Sequence, residues 1–419
     1  MRQTFEIPLD IPDVTIENVT TNRMGHIEIT VKSTVEGTPW HRCGKMTTQL
    51  YGEDREITLR HLPILGRKTF IHLRPKRYQC LHCDGNSTTT QTLPWYTPRS
   101  SFPKAYEKQI LLSMVNSTVQ DTSMQEDIGY EAIMGIIDRS IERKIQWEDV
   151  PRLEVIGLDE ISLKKGHRDF VAIITGRMET ETVILGVLPD RKKATGKTCL
   201  RSIPQRVRQT IHSVCTDMYE GFVHAAKEVF GKRVQIVIDR FHVAKLYRRG
   251  LDSLRKHECK RLKQELAEEA YGQFKGALWV LRKSEEQLTD KDKDVLRCLF
   301  EPSSCLKMAY EFCQEFTSIF DAQLSKREGK RQMRKWMHTV RASALRCFDS
   351  FLTTLEKYFD DIANYFIDRH TSGFVEGFNN KLKVIKRRCY GIVNVTHLFQ
   401  RIQLDLYGYS LFAMKIIEL

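Results

Sequence analysis

The chain predicts an α/β protein with a large helical insertion, and three observations carry that expectation. Short apolar runs end in acidic residues: Val155–Leu158 before Asp159, Ser213–Thr216 before Asp217, and Val234–Ile238 before Asp239. From Phe241 to about Tyr365 strand signals vanish, helix formers dominate, and Pro302 is the one proline. The first hundred residues instead interleave strand-like alternation with Cys-containing turns.

The elements follow in order. Ile27, Ile29 and Val31 fall on one strand face, with Glu28 and Thr30 on the other. Trp40-His41-Arg42-Cys43-Gly44 and a polar stretch to Arg60 come next. Two further strand-like pieces, Lys68–Leu73 and Arg77–Gln79, lead into Cys80-Leu81-His82-Cys83. This is the pattern of a small zinc ribbon, and a Thr-, Ser- and Pro-rich linker from Asn86 to Pro103 closes it. Val119–Gln125, a turn at Asp127-Ile128-Gly129, and Tyr130–Ile141 with Ile133, Ile136, Ile137 and Ile141 on one side read as a helix-turn-helix. A plain helical hairpin fits that stretch almost as well. Arg139, Arg143 and Lys144 are the few bases on the outer face of the second helix, and Arg139 and Arg143 are the candidate DNA contacts.

At Glu154 the texture changes. Strands at Val155–Leu158, Phe170–Thr175 and Thr182–Leu188, a helix at Lys197–Arg208, a strand at Ser213–Thr216, a helix at Tyr219–Phe230 and a strand at Val234–Ile238 follow. That is the order of an RNase H-like mixed sheet. The expected domains are a ribbon-like β module at 1–97, a helix-turn-helix at 98–149, a first catalytic part at 150–242, an α-helical insertion at 243–364 and a last catalytic part at 365–419.

A net charge of +13 over 419 residues, spread along the chain, points to a polyanion lying across a broad surface. No run approaches the ~18 apolar residues of a membrane span. The N-terminus lacks a signal peptide, so a cytoplasmic, nucleoid-associated protein is expected. Cys215, Cys298 and Cys313 sit singly in apolar stretches, which suits a reducing compartment.

Three acids carry the expected chemistry. Asp159 and Asp217 follow strands of one sheet, and Glu376 lies in Thr371–Lys383, which opens a helix. Phe374, Phe378, Leu382 and Ile385 repeat at helical spacing, leaving Glu376, Asn380, Lys383 and Arg387 as a polar stripe. Carboxylates crowded together repel unless a cation neutralises them, and Mg²⁺ (or Mn²⁺) prefers such hard oxygens. Two such ions are expected per active site, since phosphoryl transfer on DNA uses a pair about 3.5–4 Å apart. Lys381, Lys383, Lys386, Arg387 and Arg388 form a basic run beside Glu376, suited to phosphate contact, as is Asn380.

The strings Val155–Glu160 (VIGLDE), Asp217-Met218-Tyr219, Asp239-Arg240-Phe241-His242-Val243, Glu376–Lys381 (EGFNNK) and Leu62–Arg67 (LPILGR) resemble, in order, the blocks of the ISL-three family of insertion-sequence transposases. The resemblance implies an RNase H-like DDE domain with Asp159, Asp217 and Glu376 as the acidic ligands. It implies cleavage and strand transfer on double-stranded DNA, namely the element's terminal inverted repeats and a target. A homodimer or larger synaptic assembly is expected with it. Asp239 ends a strand too and is the alternative to Asp217. His242 reads either as a contact to phosphate or the transposon end, or as a core histidine.

The ribbon departs from the family pattern. Structural zinc takes four ligands, and Cys80 and Cys83 supply one pair, but Cys43 has Trp40 where its partner belongs. His41 is the nearest substitute, with His61, His72 and His82 further candidates. A degenerate ribbon without zinc is the alternative. Two other functions compete with transposition: a DNA-binding regulator with a dead catalytic domain, and an RNase H-like nuclease without strand transfer.

Overall fold

The computed structural model describes residues 7–9, 11–83, 87–162, 170–179, 181–369, 373–389 and 394–413, with side chains at 162, 373–376 and 379 also outside the described set. The chain forms two compact units, one of residues 1–141 with 400–419 and one of 142–399.

In the first unit, Val14–Thr21, Ile27–Ser33, Arg67–Leu73 and Ile57–Ile64 form a sheet in that spatial order. Ile29, Val31, Leu59, Ile71, Leu73, Leu93 and Trp95 build its core. Two expectations change here. The polar stretch to Arg60 contains the strand Leu50–Glu53 and the start of the strand Ile57–Ile64, where Leu59 and His61 alternate with Thr58 and Arg60. The expected linker is anchored, because burying Leu93 and the Trp95 ring outweighs the turn-forming composition around them. Lys104–Met114 packs against Ile57–Ile64 and precedes two helices at Val119–Glu126 and Tyr130–Ser140. Thr118 caps the middle helix through the Asp121 N–H at 2.9 Å, and Asp127, at φ +52°, ends it in the left-handed region. Tyr106, Ile110, Ile133, Ile136, Ile137 and Leu404 close this core.

The second unit is organised around a five-stranded mixed sheet. Its spatial order is Glu181–Leu188, Phe170–Met178, Val155–Ser162, Ser213–Thr216 and Gln235–Ile238. The first three strands are antiparallel and the last three parallel. The parallel strands read as continuous apolar runs because both faces are covered. Asp159 lies inside its strand, not after it, since pairing with Phe170–Met178 continues to Ser162. The helix expected at Lys197–Arg208 is two helices, Lys193–Ser202 and Gln205–Arg208. Pro204 divides them, because it lacks an N–H and holds Ile203 in an extended conformation, at ψ 124°.

Beyond the sheet the chain is helical from Arg240 to Asp368. Trp336 is fully buried, donates its indole N–H to the Phe312 carbonyl at 2.9 Å, and sits among Phe316, Phe348 and Phe351. The long helix Arg240–Glu265 buries Val243, Tyr247, Leu251 and Leu262. Gly250 stands where this helix meets the turn at Cys347, and a Cβ there would collide with the Cys347 carbonyl oxygen. The close approach offsets the ~1 kcal/mol that a mid-helix glycine costs. Gly373–Arg388 packs against the strand Val155–Ser162. Among the described residues, no helix is long and apolar enough to cross a membrane.

Candidate active site and zinc ribbon

Register brings the acids of the sheet together. Leu158 pairs with Thr216 across one parallel ladder, and Thr216 with Ile238 across the next. Asp159, Asp217 and Asp239 are therefore the next residue on three adjacent strands, and form a row just past the last parallel pairs, with Asp159 inside its longer strand.

The three carboxylates are held differently. Asp159 accepts the Glu160 N–H at 2.7 Å, and Asp217 accepts the Tyr219 N–H at 2.9 Å. Asp239 is 9% exposed and N-caps Arg240–Glu265, accepting the Phe241 N–H at 2.8 Å. Its other oxygen lies 3.8 Å from His242 Nε2. Asp239 thus has a structural job that Asp217 does not share.

Electrostatics separate the pair from ordinary surface acids. Burial pushes the Asp159 carboxyl up to about 6, and the Asp217 charge pushes the same way. The Glu160 N–H, His242 and Lys383 pull against that rise. Burial likewise raises Asp217, with the Glu160 charge adding to it, against the Tyr219 N–H, His242 and Arg191. Two half-buried carboxylates, each raised by burial and by a neighbouring acid, form a set that a hard divalent cation would relieve. His242 influences both acids, so the helix that Asp239 caps carries it to the pair.

Lys383 projects its charge toward Asp159 from Gly373–Arg388. That helix contains Glu376, whose side chain lies outside the described residues. Leu382 and Ile385 are buried at 1% and 2%, as the apolar spacing requires, while Asn380, Lys381, Lys383 and Arg387 are exposed and Lys386 and Arg388 half-buried. Arg139 is tied to the buried Glu107 at 2.6 Å. Arg143 falls outside the second helix, in the 142–399 unit, where it lines a shallow pocket with Lys144 and Trp147.

Two groups beside the acids escaped the sequence reading. Glu160 binds Arg191 at 3.0 Å, and the Arg191 guanidinium lies over the Tyr219 ring at 4.9 Å. This clamp holds Glu160, whose charge raises Asp217. Glu160 was visible within VIGLDE, but Arg191 sits after the third strand in a turn with no local signal.

In the first unit, the sulfurs of Cys43, Cys80 and Cys83 all lie within 4.8 Å of one another. Cys43 Sγ and Cys80 Sγ are 3.9 Å apart, close to the ~3.8 Å that two thiolates span on a tetrahedral zinc with ~2.3 Å bonds. The donor set therefore fits zinc. His41 does not join it: its Nδ1 meets Thr89 Oγ1 instead. Trp40, at the sequence position where a fourth ligand would stand, is 2% exposed and packs its ring 4.7 Å from His41. His61 donates to the Leu9 carbonyl at 2.8 Å, His72 pairs with Glu28, and His82 is exposed.

Comparison with known sequences decides the family. The profile of the ISL3 family of DDE transposases matches residues 156–402, and that of the zinc-finger of the IS204/IS1001/IS1096/IS1165 transposases matches residues 42–83. The chain belongs to the ISL3 transposase family. It is 23% identical to the transposase for insertion sequence element IS1001 of Bordetella parapertussis, over 90% of this chain and 91% of that protein. It is 21% identical to the transposase for IS1557 of Mycobacterium tuberculosis, over 88% of this chain and 86% of the relative. An ISL3 transposase is an enzyme of DNA, which accords with the charge of +13. The zinc-finger match and the three-cysteine cluster together point to zinc in the ribbon.

Proposed function

We propose that this transposase cuts and rejoins DNA at an RNase H-like active site in which Asp159, Asp217 and Glu376 hold two Mg²⁺ (or Mn²⁺) ions. The observation that carries the reading is the in-register placement of Asp159 and Asp217 on adjacent parallel strands, with both carboxyls raised by burial. When bound, the ions activate the attacking oxygen and stabilise the leaving one.

The chain's own residues bind and orient. Asp159 and Asp217 present oxygens from a rigid sheet, and Glu376 comes from a helix packed on the same central strand. His242 and Lys383 meet a scissile phosphate beside them, and Lys381, Lys386, Arg387 and Arg388 continue that contact along the helix. A water oxygen bonds to phosphorus at the transposon end and the 3′ oxygen leaves as a hydroxyl. The oxygen of that hydroxyl then bonds to a target phosphorus, and the target strand's own 3′ oxygen leaves and takes up the proton as a new hydroxyl. The ribbon (1–97) and the helices at 98–149, read as a helix-turn-helix, recognise the terminal inverted repeats. The catalytic domain comprises 150–242 and 365–419, interrupted by the insertion at 243–364. Two ends must meet, so a homodimer or larger synaptic complex assembles.

The test is incubation with a labelled transposon end and Mg²⁺ or Mn²⁺. A cut with a joined product is expected. A cut alone makes the protein a nuclease without strand transfer, and binding without a cut makes it a regulator.

A further inference from the structure

The helix that Asp239 caps carries a second feature, which the acidic site does not use. Phe241, Ala244, Lys245, Arg248, Arg249, Asp252 and Lys256 line a groove of about 440 Å³, completed by Arg282. These positions recur at helical spacing and form one outward stripe of Arg240–Glu265, opposite the buried Val243, Tyr247 and Leu251. Asp252 is spent on Arg255 at 2.8 Å and Lys256 at 3.1 Å. Lys245, Arg248, Arg249 and Arg282 form no ion pair among the described residues and are exposed. Cations left without counter-charges along one stripe are a built-in demand for a polyanion.

Aromatic rings stand at two points of this track. Phe241 is 50% exposed, edge-on to His242 with centroids 5.7 Å apart, at the end next to the acids. Trp279 is 66% exposed and lies under Arg282, whose guanidinium is 5.6 Å from the ring. A duplex offers phosphates to such a stripe but hides its base faces. Exposed rings beside cations are the arrangement that holds a single strand, bases stacked on the aromatics and phosphates on the cations.

We propose that this groove holds a single strand of DNA running to or from the cleavage site, with a base stacked on Phe241 and phosphates on Lys245, Arg248 and Arg249. From Phe241 to Lys256 the helix rises about 22 Å, enough for about six nucleotides at ~3.4 Å each. That the strand leads to the acids rests on the reading of Asp159 and Asp217 given above. The occupancy of the groove itself does not.

The test is fluorescence anisotropy with the full chain in EDTA, so that no outcome depends on metal or cleavage. The probes are a labelled mixed-sequence single strand of about 20 nucleotides and the blunt duplex of the same sequence. Lys245→Ala/Arg248→Ala/Arg249→Ala should weaken single-strand binding about tenfold or more and make the log–log salt slope shallower by about 2, from ~0.7 per phosphate contact. If the triple variant does not fold by circular dichroism, Arg249→Ala alone should lower the slope by about 0.7. Phe241→Ala should cost about tenfold on the single strand with the slope unchanged, and Phe241→Trp should restore it. An unchanged slope in the cation variants overturns the groove. A Phe241→Ala effect that is absent, or equal on duplex and single strand, overturns the stacked single strand. Asp159→Asn, assayed separately for Mg²⁺-dependent cutting, tests the acidic site and leaves the groove result standing either way.

Discussion

Among the described residues, the cysteine cluster and the acidic row proposed above to hold Mg²⁺ are built by opposite means. The acidic site is assembled by sheet register from residues far apart in sequence, on buried strands. The cysteine cluster is assembled by turns at the edge of small two- and three-stranded sheets, with Cys43 exposed. Carboxylates on a rigid sheet leave coordination positions to water and phosphate, which suits catalysis by a hard ion. Thiolates on turns wrap a soft ion, and the metal then supplies the order that the backbone lacks. A site held by the fold can afford to be empty, while a site that holds the fold cannot.

The largest expected effect separates ligand from scaffold. Asp159→Ala and Asp217→Ala should each reduce cleavage of a labelled end by about 10³-fold or more while leaving end binding largely intact. Asp239→Asn, which keeps a capping oxygen, should cut nearly as the parent does. The reverse outcome, cutting by Asp217→Ala and loss in Asp239→Asn, moves the second ligand to Asp239.

The next effect concerns the ribbon. Zinc released by mercurial titration should be near one ion per chain, and Cys80→Ser should lose most of it at matched zinc. Proteolysis of that variant should open near 42–83 while the 142–399 unit stays resistant. Retention of full zinc by Cys80→Ser would remove the cysteine cluster from the metal's coordination.

Trp40→Cys probes the missing ligand directly. Losing the buried indole should cost about 3–5 kcal/mol without zinc, whereas a fourth thiolate should tighten zinc binding. Chelator competition and thermal melts with and without zinc read the two separately. Weaker zinc binding in the variant would show that position 40 cannot reach the cluster.

The smallest effect is pH-dependent and belongs to the acids. Burial pushes the Asp159 carboxyl up to about 6 in the folded chain, above its ordinary unfolded value. The folded state therefore binds more protons between about pH 4 and 6, and stability falls as pH rises through that window. In metal-free protein Asp159→Asn should gain about 1–3 kcal/mol at pH 7–8 and nothing near pH 4. Melts across pH in EDTA check this, and a gain independent of pH would assign the effect to packing.

Much of this contrast was legible in the sequence. An apolar run ending in Asp is a short-range signal, and it marked Asp159, Asp217 and Asp239 alike. What it could not convey was the difference among them, because a helix cap and a metal ligand use the same carboxylate. Pro204 was a visible break that helix propensity around it obscured. Leu93 and Trp95 were hidden by their turn-rich neighbours, and Arg191 reaches Glu160 only through space. For the ribbon, spacing found the three cysteines, and the His41 contact to Thr89 depends on a partner that no spacing rule names.

The shared register of the acidic row has a consequence for how such a chain tolerates change in length. Adding or deleting one residue within Val155–Leu158 or Ser213–Thr216 would shift its acid by about 3.3 Å and turn it to the opposite face. No compensating point substitution would bring it back. Length can drift where the chain leaves the row and returns to it, between Asp159 and Asp217, between Asp217 and Asp239, and between the helix that Asp239 starts and the one that contains Glu376. The hundred-odd residues of helices lodged in the last of these gaps occupy the longest of the three.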